Sequence, residues 1–171
     1  MKALPFVAVV IASFGLVACS SSDDDGSAAM SSAVERPGAP TAEDATTIDA
    51  CGLLTSADIQ KYIDVDVAGN PNTSVPEAPG CVWENPDTYT SVTVDIGAPD
   101  TAINGTLPDP EPGFEGRPAP DGMRYFATGV VDFAADKRAN SVQVANPNLS
   151  ADESDAAALE LARKVQERLQ Q

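Results

Sequence analysis

The chain has 171 residues, 26 acidic against 10 basic side chains, no histidine, and a formal net charge of −16. Phosphate backbones repel so acidic a surface, which argues against a nucleic-acid partner. Without histidine there is no Ser-His-Asp or Cys-His pair and no imidazole metal ligand, and the length suits one domain with a tail.

Met1 and Lys2 give a short positive start, and Ala3 to Gly15 form an apolar stretch broken only by Pro5 and Ser13. That run is shorter than the roughly 20 apolar residues a bilayer span needs, and it fits the apolar region of a secretory signal. It ends at Leu16-Val17-Ala18-Cys19, which resembles the bacterial lipobox: aliphatic, tolerant, small, cysteine. The resemblance implies cleavage of residues 1–18 and fatty acylation (palmitate or a similar chain) of Cys19. Two or three chains hold a protein stably on a membrane, whereas one is marginal. Cleavage removes Lys2 and no acid, leaving 153 residues with a formal net charge of −17.

Residues 19–47 are rich in Ser, Ala, Asp, Pro and Gly, with Met30 and Val34 the only sizeable apolar side chains. Such a segment cannot bury enough surface to offset ordering entropy, so a disordered, lipidated tether with a reach of about 30 Å is expected. The Asp23 to Asp25 run within it reads as solvation, because adjacent carboxylates on a flexible strand do not converge on one ion.

One α+β domain is expected over 48–171. Helix is predicted from Ser56 to Ile63, with Thr55 and Asp58 as a capping box and Ile59, Tyr62 and Ile63 on one face. Strands follow in GCVWEN and YTSVTVDIG, where Val92, Val94 and Ile96 alternate with Ser91, Thr93 and Asp95. More strands are expected in GMRYFATGVVDFAAD and NSVQVAN, with ADKRAN as the turn between them. The last segment is a predicted helix opened by a Ser150–Glu153 capping box, its stripe made by Ala158, Leu159, Ala162, Val165 and Leu169. Acids near its start and Arg163, Lys164 and Arg168 towards its end complement the helix dipole. The expected architecture is an antiparallel or mixed sheet of about four to six strands, packed by this C-terminal helix.

With Cys19 acylated, Cys51 and Cys81 form an even pair, and a disulfide is the natural reading in an oxidising compartment. A reactive thiol is the alternative, though no histidine is present to act as its base. Cys81 and Trp83 share a strand face, so Trp83 reads as cover for the disulfide, with ligand or partner stacking as the other option. Gly97 to Gly122 holds many of the prolines and glycines, and loops of this length are usually functional or disordered. Its Ile103, Leu107 and Phe114 are candidates either to pin the loop or to contact a ligand or partner.

Signals for chemistry are sparse. No Walker loop, dinucleotide fingerprint or nucleophile elbow is present, and no cofactor or metal is expected. DVDVAGN puts Gly69 at the glycine position of a calcium loop, but Ala68 and Val75 occupy positions that need oxygen ligands. Asp109, Glu111, Glu115 and Asp121 are the candidates for an acid-pair hydrolase. NTS, NGT and NLS match glycosylation sequons, which beside a lipobox read as accidental.

CGLLTSADI, through Cys51, Leu53, Leu54, Thr55, Ala57 and Asp58, together with Cys81-Val82-Trp83, resembles a family of mainly actinobacterial cell-envelope lipoproteins known as domain of unknown function 3558. The resemblance spans most of 49–168 and implies an exported lipoprotein domain with a Cys51–Cys81 bridge and no established activity. The family often ends its first helix with glycine, where this chain has Ile63-Asp64-Val65. The expected function is that of a non-enzymatic domain, anchored through Cys19 on the extracytoplasmic face of the cell membrane, that binds another envelope protein. A carrier or sensor of a small apolar ligand is the alternative, and an acid-pair hydrolase a weaker one.

Overall fold

The computed structural model describes residues 48–171. The signal peptide 1–18, Cys19 and the tether 19–47 expected from the sequence lie outside the described residues. A 3₁₀ turn, Ala50–Leu53, comes first, its start held by the Asp49 carboxylate accepting from the Cys51 N–H at 3.1 Å. Helix α1 then runs Ser56–Ile63, as the sequence predicts. Its capping box is complete: the Asp58 N–H donates to Thr55 Oγ1 at 3.3 Å, and the Thr55 N–H donates to Asp58 Oδ2 at 3.0 Å. The helix ends because Asp64 adopts a left-handed φ of 58°, the conformation usually given to glycine. Aspartate tolerates it, so the missing glycine leaves the helix end in place. Two carbonyls of the last turn are satisfied from outside: Asn146 donates to Tyr62 O and Asn85 to Ile63 O, each at 2.8 Å.

Seven strands follow: β1 (Asn70–Asn72), β2 (Gly80–Glu84), β3 (Ser91–Asp95), β4 (Arg117–Pro118), β5 (Arg124–Ala127), β6 (Val130–Ala135) and β7 (Arg138–Ala145). They form one sheet in the order β1-β2-β3-β7-β6-β5-β4, every pairing antiparallel. The count exceeds the expected four to six because β1 and β4 are edge strands of three and two residues, too short to show alternation. Each contains a proline, Pro71 or Pro118, which an edge tolerates and a central strand does not. The turn between β6 and β7 is also tighter than ADKRAN suggests. Asp136 and Lys137 both take positive φ, and Arg138, Ala139 and Asn140 already pair with Ala135, Ala134 and Phe133.

Alternation divides the sheet into two faces. Cys81, Trp83, Val92, Val94, Val131, Phe133, Val142 and Val144 point to the core face and are buried. Helix α2 (Ala151–Leu169) covers β6 and β7, and α1 lies against β3. The Ser150–Glu153 capping box is formed, and the stripe includes Ala157 and Leu161 as well as Ala158, Leu159, Ala162 and Val165, with Leu169 partly buried at the end. Asp155, in the first turns of α2, accepts from the Gly129 N–H at 2.8 Å and pairs with Arg117 at 2.5 Å, tying the β5–β6 turn and β4 to the helix.

Cys51 and Cys81 form a disulfide with Cα atoms 5.1 Å apart. Cys81 and Trp83 lie side by side on the core face, and the backbone at Gly69 passes directly over them. A Cβ on Gly69 would lie 2.4 Å from Cys81 Sγ and 2.8 Å from Trp83 Nε1. Close approach, not a calcium loop, is what requires this glycine. Trp83 is 4% exposed, so it is a core side chain covering the disulfide and does not present a stacking surface to solvent.

Candidate functional site

The face of the sheet turned away from α2 carries the other half of each alternation: Thr93 and Asp95 on β3, Ser141 and Gln143 on β7, Val130 and Asp132 on β6, Arg124 and Phe126 on β5. Register aligns four of these in a transverse row. Asp95 is opposite Ser141, Ser141 opposite Asp132, and Asp132 opposite Arg124. With strands about 4.8 Å apart, Asp95 and Asp132 sit about 10 Å from each other along the row.

The long loop between β3 and β4 lies over this end of the face. Its first residues are fixed to the β6–β7 turn. Gly97 donates to Asn140 Oδ1 at 3.2 Å, Ala102 donates to Lys137 O at 2.9 Å, and Thr101 Oγ1 accepts from the Ala139 N–H at 2.9 Å. Gly97 lies so close to the Ala139 carbonyl that a Cβ would be 2.0 Å from its oxygen. Further along, Pro108 O accepts from Arg124 Nη1 at 3.2 Å. The loop's anchors are thus backbone groups, Thr101 and the buried Ala102, whereas Ile103 is 65% exposed.

Two adjoining clefts result, of about 270 and about 320 Å³, both bounded by Arg124 and Asp132. The first extends over Asp95 and Ser141 to Leu107; the second lies between Asp109, Pro110 and Glu111 of the loop and the rings of Phe114 and Phe126. Those rings stack nearly parallel, with centroids 6.4 Å apart, and both stay exposed, Phe114 at 60% and Phe126 at 47%.

Charge in the clefts is unevenly matched. Asp132 Oδ2 accepts from Arg124 Nε at 3.3 Å and Nη2 at 3.1 Å, both side chains being largely buried. Burial pushes the Asp132 carboxyl up, and the Arg124 guanidinium pulls against that shift. Asp95 has no side-chain partner among the described residues. Asp95 stays exposed to solvent, and the cleft walls remove only part of its water, enough to raise its carboxyl above the ordinary value. Asp109 and Glu111 add two more negative charges on the rim against the single cation of Arg124.

Leu107 and Phe114, read from the sequence as contact candidates, are therefore in cleft walls, whereas Trp83 is not. The loop acids do not assemble as a set. Asp121 pairs with Arg163 of α2 at 2.7 Å and Glu115 accepts from the Gly113 N–H at 2.8 Å, while Asp109 and Glu111 face the second cleft. Sequence reasoning passed over Phe126, Arg124 and Asp132. The available signal was a lone aromatic on the polar side of an alternating strand, in RYFATG. Among the described residues no group of three or more His, Cys, Asp or Glu side chains is placed to hold a metal ion, and no helix is long and apolar enough to cross a membrane. Comparison of the chain with protein-family models, with curated proteins and with solved structures gives no match.

Proposed function

We propose that this chain is a lipoprotein, anchored through acylated Cys19 on the outer side of the cell membrane, whose domain binds another envelope protein without catalysing a reaction. The observation that carries the binding role is the stacked, solvent-facing pair formed by Phe114 of the loop and Phe126 of β5, on a sheet face that is mostly polar but includes Val130. Burying two large rings in the fold would stabilise it, so their exposure at a cleft is what a docking surface supplies. The core beneath is one contiguous cluster rich in Val, Leu, Ile and Ala with Phe133, and the two clefts lie on the opposite face and open to solvent, which favours docking over carriage of an enclosed apolar ligand.

The anchored address is supported by the lipobox, by the resemblance to cell-envelope lipoproteins in CGLLTSADI and Cys81-Val82-Trp83, and by the Cys51–Cys81 disulfide, a bond that persists in oxidising compartments. Cys19→Ser is expected to move the protein from the membrane to the soluble fraction; unchanged fractionation overturns the anchor. For the binding role, a photoreactive phenylalanine analogue at position 126 is expected to form a protein adduct in intact cells. The same analogue at the exposed position 170, beyond α2, should form none. Equal adducts at both positions, or none at 126, overturn the docking role.

A further inference from the structure

We infer that the two clefts recognise a lysine- or arginine-bearing peptide segment of the partner, the ammonium or guanidinium groups seated between the acids of the row and loop and the faces of Phe114 and Phe126. This rests on the docking role proposed above and specifies the chemistry of the docked segment. Charge complementarity selects the occupant. Four carboxylates, Asp95, Asp109, Glu111 and Asp132, bound the clefts against one guanidinium, Arg124, which is already engaged by Asp132 and Pro108 O. Asp95 faces the first cleft with its charge unanswered, and a cation placed there meets a carboxylate that has already lost part of its hydration.

The aromatic pair fits the same ligand. A phenyl face is the negative end of a quadrupole, and exposed rings within about 6 Å attract lysine and arginine head groups while their edges cover the aliphatic stems. An anionic or purely apolar segment would meet the loop acids without compensation. Because the two clefts adjoin across the Arg124–Asp132 pair, they suit two side chains of one extended segment better than a single small ion.

The test uses purified full-length protein with amide NMR, titrated with hexalysine, with hexaglutamate and with n-butylammonium. Hexalysine is expected to shift amides of β3, β5, β6 and the 107–114 stretch first, with affinity falling as salt rises from about 20 to about 300 mM. Asp95→Asn and Phe126→Ala should each weaken it by roughly fivefold while keeping a dispersed spectrum. Glu167→Gln, which removes one charge from the exposed side of α2, should leave it unchanged. Shifts spread evenly over the acidic surface, or equal loss in the Glu167 variant, would mean attraction by net charge alone and overturn the inference. So would binding of n-butylammonium as tight as that of hexalysine, which would make the occupant a small amine. If hexalysine fails while the position-126 adduct forms in cells, the cationic assignment falls and the docking role stands; if the adduct is also absent, both fall.

Discussion

Gly69 and Asp95 illustrate two ways in which one residue constrains this fold. Alanine at 69 would press its methyl into the disulfide sulfur and the Trp83 ring nitrogen, both held by the rigid core. Gly69→Ala is expected to lower unfolding stability by about 1–3 kcal/mol, seen as a reduced denaturant midpoint. Asp95 works in the other direction. Its folded-state carboxyl lies above its unfolded value, so the ionised form is penalised in the folded protein at neutral pH. Asp95→Asn should therefore raise the melting temperature at pH 7, and the gain should shrink as pH falls towards about 4, where the wild-type carboxyl protonates in both states. A fall in melting temperature at pH 7 would contradict the unanswered charge at this site. Thr55–Asp58 and Ser150–Glu153 were legible because a capping box is a local pattern of four residues. Gly69 was not, since its need arises from Cys81 and Trp83, brought over it only by the paired sheet.

At the scale of elements, α1 and α2 are joined by a small ionic cluster. Lys164 Nζ lies 2.5 Å from Asp58 Oδ1, Lys61 Nζ lies 2.7 Å from Glu160 Oε2, the Tyr62 hydroxyl donates to that same oxygen at 3.0 Å, and Arg168 donates to Leu53 O. Burial would raise the Asp58 carboxyl, but the Lys164 ammonium and the Thr55 hydroxyl and N–H together hold it down to about 2. A depressed carboxyl stabilises the fold fully above its unfolded value near 4, and that contribution disappears as pH falls to about 2. Acid unfolding curves should thus show a loss of stability over this window that is absent from Asp58→Asn. Equal slopes in the two proteins would show that the helix pair is not held this way. Helices and central strands were readable from periodicity. The short β1 and β4 were not, having too few residues to alternate, and neither was the Asp95–Ser141–Asp132–Arg124 row. Its members come from four separate strands and meet through register alone, so no window of sequence contains them. The loop above it was visible as an outlier in length and proline content, which is why Leu107 and Phe114 were found and Phe126, on a strand, was missed.

For the whole molecule, the disulfide closes a loop with a sequence separation of 30 residues that contains α1 and β1. Its reduction is expected to cost about 3–4 kcal/mol of unfolding free energy in the chain-entropy model, measured by denaturation with and without reductant. A difference under about 1 kcal/mol would indicate that the unfolded chain is already compact around this link. The proline-bearing strands at both borders of the sheet also limit its growth, since each removes a donor that an added strand would need. The same crosslink decides how the domain responds to tension. The described chain begins at Ile48, just before Cys51, and Cys51 is bonded directly to β2. A pull applied on the N-terminal side of Ile48 therefore passes through the sulfur atoms into the sheet and skips the helix and edge strand between them. The 51–81 loop cannot lengthen under load until a covalent bond is cut, so a thiol reductant, rather than force alone, frees that part of the chain.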